Sequence, residues 1–188
     1  MSHQKLHTEQ LVTLCKEGNQ SAQMEIYNRY YKAMYNTAFR ILKDSAEAED
    51  AMQESFLNAF LNAFMKLDSF SETVSFGAWL KKIVVNKSIY LYKKQQRKEE
   101  VPIDTLLHKV EDNDGIASDE EFTSLQAQKV LQTLKTLKDN YRVSLTLHLI
   151  EGFDYEEICS ILDISYANCR TTISRAKESL RRKLEVYV

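Results

Sequence analysis

Residues 154–183, DYEEICSILDISYANCRTTISRAKESLRRK, carry the clearest structural pattern in the sequence. Asp154 followed by Glu157 has the spacing of a capping box at the start of a helix. Asp163-Ile164-Ser165 provides a tight turn, and Ser165 is placed to cap a second helix. In that second helix an apolar stripe recurs at helical spacing. The stripe consists of Cys169, Ile173, Ala176, Leu180 and Leu184. The stretch therefore predicts two helices joined by a tight turn.

Polar and basic side chains occupy the remaining faces of the second helix. The residues that point away from the stripe or flank it are Asn168, Arg170, Thr171, Ser174, Arg175 and Lys177. A helix-turn-helix places such a helix in the DNA major groove, with its N-terminal residues at the base edges. The pattern favours DNA binding, and the competing interpretation is a helical hairpin whose polar face is only solvated.

The composition favours helices throughout. The 188 residues include only 4 Gly and 1 Pro, and 44% of them are hydrophobic. No apolar run approaches the roughly 20 residues that a membrane span requires. The N-terminus, MSHQKLHTEQ, lacks the apolar core of a secretory signal. We therefore expect an all-α protein that acts in the cytoplasm without inserting into a membrane.

The cysteine and histidine residues do not form a metal-binding pattern. Cys15, Cys159 and Cys169 have no CxxC spacing, and none of the 4 His clusters with them. Cys159 and Cys169 fall on predicted core faces, so buried free thiols are expected rather than a metal site or a disulfide. The sequence also contains no catalytic constellation. We expect no metal, no cofactor and no enzymatic activity.

The net charge of −2 is unevenly distributed along the chain. Residues 1–97 carry 13 basic and 10 acidic side chains, net +3, and residues 129–188 carry 10 and 8, net +2. Residues 98–128 between them carry 2 and 9, net −7. The stretch 99–122 also holds the single Pro and the polar segments EDNDG and SDEE. We expect a flexible acidic linker over 99–122 between two helical domains, 1–98 and 123–188.

Hydrophobic periodicity predicts helices over 8–17, 21–42, 46–67 and 78–98 in the first domain. A polar loop at 68–77 carries two aromatic residues, Phe70 and Phe76. In the second domain a helix starts near Glu121, a break falls at 138–140, and a further helix runs from Tyr141 to Glu151, ended by Gly152.

Two helices of the first domain have polar faces with a possible function. The helix at 46–67 starts with several acids, which suit the helix dipole and also form a face for binding a protein. The helix at 78–98 combines lysines with aromatic residues, uninterrupted by acids. Cations for phosphates and rings for bases are what a single-stranded nucleic-acid surface needs. For the helix at 78–98, the alternative is a solvated basic face beside an ordinary core tryptophan.

Taken in order, several segments of the sequence resemble those of a bacterial sigma factor of the sigma-70 family, of the small two-domain extracytoplasmic-function (ECF) type. In the first half they are YNRYYKAMYNTAFRIL (27–42), AEDAMQESFL (48–57), KLDSF (66–70) and FGAWLKKIVVNKSI (76–89). In the second half they are LKDNYRVSLTLHLIEGFDYEEICSILDIS (137–165) and RAKESLRRKL (175–184). The resemblance implies a region 2-like domain, a region 4-like domain and a role in promoter-specific initiation of transcription.

The resemblance also implies roles for individual residues. The surface for core RNA polymerase would use Asp50, Gln53, Glu54 and Phe56. Recognition of the minus-ten promoter element would use Phe70, Trp79, Asn86, Lys87, Tyr90, Lys93 and Lys94. Recognition of the minus-thirty-five element would use Asn168, Arg170, Thr171, Ser174, Arg175 and Lys177.

The partners that the resemblance implies are core RNA polymerase, promoter DNA and an anti-sigma factor. Such a partner would hold the protein at the inner membrane, and the free protein would associate with the nucleoid. Two other functions fit parts of the sequence: a freestanding helix-turn-helix transcriptional regulator, and a helical adaptor without a DNA function. The repeat LNAFLNAF at 57–64 and the run YANC at 166–169 depart from the usual family pattern.

Overall fold

The computed structural model describes residues 6–65, 74–99 and 125–185, with side chains for 6–59, 74–97 and 126–185. Over these residues the secondary structure is helical, without a β-strand, which confirms the all-α expectation. The chain divides into two compact units, Met1–Ala117 and Ser118–Val188. Phe70 and the predicted linker beyond Glu99 lie outside the described residues.

The N-terminal unit is built around one long helix. Its helices are α1 (Thr8–Lys16), α2 (Gln20–Leu42), α3 (Ser45–Met65) and α4 (Phe76–Glu99). Helix α2 packs against α1, α3 and α4, and α3 also packs against α4. Side chains from all of these helices are fully buried between them: Leu11, Ile26, Ile41, Met52, Leu80 and Val84.

The helix ends of this unit follow from local polar residues. Gly18 adopts a φ of 79°, and the side chain of Asn19 accepts a hydrogen bond from the Ala22 amide at 3.1 Å. Lys43 adopts a left-handed conformation, and Asp44 then accepts from the Glu47 amide at 2.8 Å. The carboxylate of Glu47 accepts a hydrogen bond from Gln95 of α4, so the same residue ties α3 to α4.

The tyrosine cluster of α2 packs as core and core rim, as the sequence indicates. Tyr27 contacts Phe56 with ring centroids 5.0 Å apart, and Tyr35 stacks on Phe39 at 6.0 Å. Burial raises the pKa of both Tyr27 and Tyr35. These phenols therefore stay neutral and serve in packing.

Phe76 corrects one sequence-based expectation. It is the first residue of α4 rather than part of an exposed loop, and it is 7% exposed. Its ring meets Tyr30 edge-on at 5.6 Å and lies 5.6 Å from the ring of Trp79. Helix α4 starts two residues earlier than predicted. The ring of its first residue is therefore directed toward α2, where it is buried.

The C-terminal unit is built around its last helix. It contains α5 (Leu125–Lys135), α6 (Asp139–Leu145), a π-helical turn (Thr146–Ile150), α7 (Tyr155–Leu162) and α8 (Tyr166–Glu185). Helix α8 packs against α5, α6 and α7. The core residues, all 1% exposed or less, are Val143, Leu145, Leu147, Ile158, Cys169, Ile173 and Ala176.

The helix predicted from Tyr141 to Glu151 begins at Asp139 and does not remain α-helical to its end. The Glu151 amide donates to the Thr146 carbonyl at 3.0 Å, five residues back, and the Phe153 amide donates to Leu147 at 3.0 Å. Gly152, with φ of 81°, then reverses the chain. This wider turn leads directly into the cap of α7.

The cap of α7 is the reciprocal capping box that the sequence predicts. Asp154 accepts from the Glu157 amide at 2.8 Å, and Glu157 accepts from the Asp154 amide at 3.0 Å. Asp163, with φ of 58°, ends α7, and Ser165 accepts from the Asn168 amide at 3.3 Å to start α8. These contacts fix both ends of the turn between α7 and α8.

Replacing Asp154 with Ala removes the acceptor for the Glu157 amide. We expect a loss of about 1 kcal/mol in the stability of α7, the usual value for an N-cap. Asp154→Asn is the matched control, because asparagine caps nearly as well. Native-state hydrogen exchange of the α7 amides measures the effect. Equal exchange in the two variants would show that the Asp154 side chain does not stabilise the helix.

Candidate nucleic-acid and protein interfaces

Helix α3 presents an acidic and polar face to solvent. Asp50, Gln53 and Glu54 are all exposed, and Leu57 next to them is 59% exposed. Gln53 Nε2 donates to Glu49 Oε1 at 3.1 Å along the same face. The face thus combines carboxylates, an amide and an exposed apolar side chain, which together suit contact with a protein.

Phe56 of α3, unlike these residues, is buried. It is 2% exposed, and its ring contacts that of Tyr27. The side chain therefore anchors α3 to α2 and does not reach the exposed face. Of the four residues predicted for this surface, the structure brings together Asp50, Gln53 and Glu54 on one face.

Helix α4 carries a stripe of exposed polar and aromatic side chains. Asn86, Tyr90 and Lys94 recur at intervals of four residues, and Tyr90 is 61% exposed. Lys93 is half-buried at the edge of the stripe. Lys82, also exposed, extends the stripe by one further turn toward the start of α4. Lys82 belongs to the lysine-rich face that the sequence predicts for this helix but is not among the residues assigned to the minus-ten element, although its spacing of four from Asn86 could have identified it.

Lys87 joins the exposed faces of the two helices. Its Nζ lies 2.5 Å from Glu54 Oε2 on α3 and 5.8 Å from the ring centroid of Tyr90. The Lys87 ammonium group therefore neutralises Glu54 of α3 and also lies as a cation beside the exposed ring of Tyr90 on α4. The predicted polymerase and minus-ten residues meet at this contact.

Trp79 lies at the start of α4 and is half-buried. Its ring packs against Phe76, which in turn is held by Tyr30. Gly77 permits this packing, because a Cβ at that position would lie 2.8 Å from Tyr30 Cε1. The tryptophan is thus held by buried aromatic rings while part of it remains accessible.

Helix α8 presents most of its predicted residues on one outward surface. The exposed members are Asn168, Arg170, Thr171, Ser174 and Arg175. The apolar stripe on the other side of the helix is buried, with Cys169, Ile173 and Ala176 each 1% exposed or less. Burial of that stripe fixes the rotation of the helix, so the polar residues must point outward.

Local hydrogen bonds set the orientation of the first polar side chains on α8. Thr171 Oγ1 donates to the Ala167 carbonyl at 2.8 Å, and Thr172 Oγ1 donates to Asn168 Oδ1 at 3.1 Å. The side-chain Nδ2 of Asn168 therefore remains as a donor, and Thr171 presents its methyl group and an acceptor oxygen. These groups can contact base edges in a groove.

Lys177 differs from the other predicted residues of α8. It is half-buried, and its Nζ lies 3.2 Å from His148 Nε2. His148 Nδ1 lies 3.2 Å from the Phe153 carbonyl. Because an ammonium group only donates, the histidine accepts at Nε2 and carries its proton at Nδ1. Lys177 therefore ties α8 to the π-helical turn.

Tyr166 is a candidate contact residue that sequence reasoning missed. It is the first residue of α8, is 52% exposed, and meets Tyr155 edge-on with centroids 6.1 Å apart. Tyr155 in turn stacks on His148 at 5.0 Å. An exposed aromatic residue at the N-terminus of the second helix is the signal that could have identified it.

The described residues contain no group of three or more His, Cys, Asp or Glu side chains that could hold a metal ion. Within the same part of the chain, none of the helices is both long enough and apolar enough to span a membrane.

Comparison with known protein families matches both units. Residues 26–98 match the model of sigma-70 region 2, and residues 127–180 match the model of sigma-70 region 4. The region 2 match argues against a freestanding helix-turn-helix regulator, because such a protein would not need a region 2 domain.

Characterised relatives cover nearly the whole chain. The ECF RNA polymerase sigma factor SigW of Bacillus subtilis is 30% identical over 178 residues, which is 90% of this chain and 92% of SigW. The ECF RNA polymerase sigma-E factors of Salmonella typhimurium and Escherichia coli are 27% identical, with 98% of each chain covered.

Solved structures have the same fold. The sigma factor RpoE of Bartonella quintana, in complex with the anti-sigma factor NepR, aligns with a TM-score of 0.56 at 22% identity, covering 87% of this chain and 96% of RpoE. CnrH, in complex with the cytosolic domain of CnrY, aligns with a TM-score of 0.53 at 23% identity, covering 94% and 96%. The chain belongs to the ECF group of the sigma-70 family and is an RNA polymerase sigma factor, with core RNA polymerase and promoter DNA as its partners.

Proposed function

We propose that the exposed faces of α3, α4 and α8 divide the work of promoter recognition. Residues 1–98 bind core polymerase and the minus-ten element, 99–122 connect the domains, and 123–188 bind the minus-thirty-five element. The observation that carries the proposal is that each of these helices buries one apolar stripe and exposes most of the predicted polar residues on its other faces.

Asp50, Gln53 and Glu54 form the contact with core polymerase in this proposal. Asp50 and Gln53 are exposed on one face of α3 and can pair with a partner protein, and Lys87 holds Glu54 beside them. Phe56 holds that face in place from inside the domain, through its contact with Tyr27. The exposed Leu57 adds apolar area at the edge of the same surface.

The stripe on α4 binds the unpaired strand of the minus-ten element. Tyr90 and Trp79 provide rings on which bases stack, and Asn86 offers donors and an acceptor to a base edge. Lys82, Lys93 and Lys94 neutralise phosphates along the strand. Lys87, paired with Glu54, places its charge beside the Tyr90 ring, and Phe70 belongs to the same proposed site.

The N-terminal half of α8 reads the minus-thirty-five element in the major groove. Arg170 and Arg175 extend from an exposed face and can donate two hydrogen bonds to guanine or contact phosphates. Asn168, Thr171 and Ser174 lie between them. Lys177, which His148 holds at 3.2 Å, sets the position of the helix rather than reading bases directly.

The protein opens DNA through binding and carries out no chemical step itself. Unstacking a base costs a few kcal/mol, and each stack on an aromatic ring returns about 1–3 kcal/mol. Bond formation remains the task of the polymerase. This division is supported by the family membership, since sigma factors act as initiation factors.

The protein acts in the cytoplasm at the nucleoid, where its polymerase partner acts. An anti-sigma factor is also part of the proposal, with the sigma factor held at the inner membrane until it is released. Its support is the fold that this chain shares with two proteins solved in complexes, the sigma factor RpoE with the anti-sigma factor NepR, and CnrH with the cytosolic domain of CnrY.

Asp50→Ala and Gln53→Ala should each lower the affinity for core polymerase about tenfold, which is roughly 1.4 kcal/mol. Run-off transcription should recover as the variant concentration is raised, because only association is impaired. The matched control is Glu9→Ala, which removes an exposed acid from α1. A defect that persists at saturating concentration, or an equal defect in the control, would contradict the assignment.

Tyr90→Ala should slow opening of a duplex promoter, whereas Tyr90→Phe should preserve it, because stacking needs the ring and not the hydroxyl group. Permanganate reactivity of unpaired thymines measures opening. On a template that is already unpaired across the minus-ten element the Ala defect should shrink. Equal defects in Tyr90→Ala and Tyr90→Phe would exclude stacking as the role of this residue.

Arg170→Ala and Arg175→Ala should each weaken promoter binding by about 1–3 kcal/mol, and transcription should fall accordingly. Each should also relax discrimination at one base pair of the minus-thirty-five element. Arg181→Ala is the matched control, since Arg181 is exposed near the end of the same helix. It should weaken all promoters alike and reduce the salt dependence. If the Arg170 and Arg175 variants lose activity without any change in base preference, these side chains do not read the sequence.

A further inference from the structure

Tyr166, the first residue of α8, carries an aromatic ring that is 52% exposed. It precedes Arg170 by four residues and Ser174 by eight, and all three side chains are exposed. Residues four apart lie on neighbouring turns of the same helix face. Tyr166 therefore stands at one end of a row that continues with Arg170 and Ser174, two of the residues proposed to contact the minus-thirty-five element.

The Tyr166 ring is supported by a series of contacts within its unit. It meets the ring of Tyr155 edge-on, with centroids 6.1 Å apart, and Tyr155 stacks on His148 at 5.0 Å. His148 contacts the Phe153 carbonyl through Nδ1 and Lys177 Nζ through Nε2, each at 3.2 Å. The exposed ring thus rests on side chains that α7, the π-helical turn and α8 hold in place.

The backbone around Tyr166 is fixed as well. Ser165 accepts from the Asn168 amide at 3.3 Å through its side chain and from the Cys169 amide at 2.9 Å through its carbonyl. Cys169 Sγ donates to the Tyr155 carbonyl at 3.8 Å, which joins the start of α7 to the first turn of α8. A tyrosine has few rotatable bonds, so a supported ring loses little conformational freedom when it binds. Tyr166 therefore presents a pre-ordered apolar surface.

The major groove offers one apolar group to such a surface. Of the groups that base pairs present there, the C5-methyl group of thymine is apolar, whereas the others donate or accept hydrogen bonds. Arg170 and Ser174 can pair with donors and acceptors, and the Tyr166 ring suits the methyl group. We propose that Tyr166 contacts the C5-methyl group of one thymine in the minus-thirty-five element and sets the base preference at that position. This role of Tyr166 rests on the proposed function of α8.

Deoxyuridine in place of thymidine tests the contact, because it removes the C5-methyl group and preserves base pairing. Transcription of a promoter library randomised across the minus-thirty-five element, with core polymerase and the natural sequence, first identifies the preferred element. Its thymines on both strands are then replaced one at a time. At one position transcription should fall about fourfold, the loss expected for one buried methyl group. The absence of any such position would overturn the proposal.

Two variants of Tyr166 separate the ring from the hydroxyl group. Tyr166→Phe should retain the thymine preference in the library and the sensitivity to deoxyuridine. Tyr166→Ala should lose both, while Ser165 still caps α8 and alanine favours the helix. Equal sensitivity to deoxyuridine in Tyr166→Ala and the natural sequence would overturn the proposal. So would an equal loss on all promoters in both variants, since that result indicates a phosphate contact through the hydroxyl group.

Two further variants show which assignment fails. Met24→Ala is the matched control, because it removes another exposed apolar side chain, 60% exposed on α2, and should leave the base preference unchanged. Arg170→Ala should change the preference at a different base pair. If Arg170→Ala changes the preference and Tyr166→Ala does not, the role of Tyr166 alone is overturned. If neither changes it, α8 does not read this element, and the proposed function of α8 is overturned together with the role of Tyr166.

Discussion

The surfaces of this protein depend on one constraint: a helix that buries a stripe on one side cannot rotate about its own axis. Each residue of an α-helix advances by about 100°. On α8 the buried residues Cys169, Ile173, Ala176 and Leu180 therefore define one direction, and Arg170 and Ser174 must point in others. Burial of a large apolar side chain is worth about 1.5–3 kcal/mol, more than an exposed polar contact can oppose.

The same constraint acts in the N-terminal unit with smaller side chains. Ala48, Ala51 and Ala59 are buried on α3 with at most 1% exposure. Alanine lets helix axes approach closely, and Met52 and Phe56 fill the space that remains. The acids of α3 are consequently held outward by packing. The Glu54–Lys87 pair contributes little to stability, because more than half of the Glu54 side chain is exposed.

The sequence predicted what local chemistry and periodicity determine. The capping residues Asn19, Asp44 and Asp154 have short-range partners, so most helix ends could be predicted closely. The buried stripe of α8 follows from spacing alone. These features depend on residues within one or two turns of each other, which a sequence shows directly.

What the sequence could not predict depends on packing between helices. Phe56 lies in a segment that resembles a binding surface of the family, yet its ring packs against Tyr27. Phe76 has polar neighbours in the sequence and apolar neighbours in space. Lys177 and His148 are 29 residues apart, and no periodicity connects them.

In the proposed function, the energetics of base capture explain why the proposed polymerase face and the proposed DNA stripe occupy adjoining helices. One stack on Tyr90 returns about 1–3 kcal/mol, which only roughly balances the cost of unstacking one base. The region 2 domain alone therefore has little free energy with which to open DNA. Polymerase binding at α3 adds to that free energy if the same rigid body holds both surfaces. Lys87, which contacts Glu54 on α3 and lies over Tyr90 on α4, couples them. On this proposal the protein opens a promoter only as part of a complex, because the free energy for melting comes from contacts that the complex alone completes.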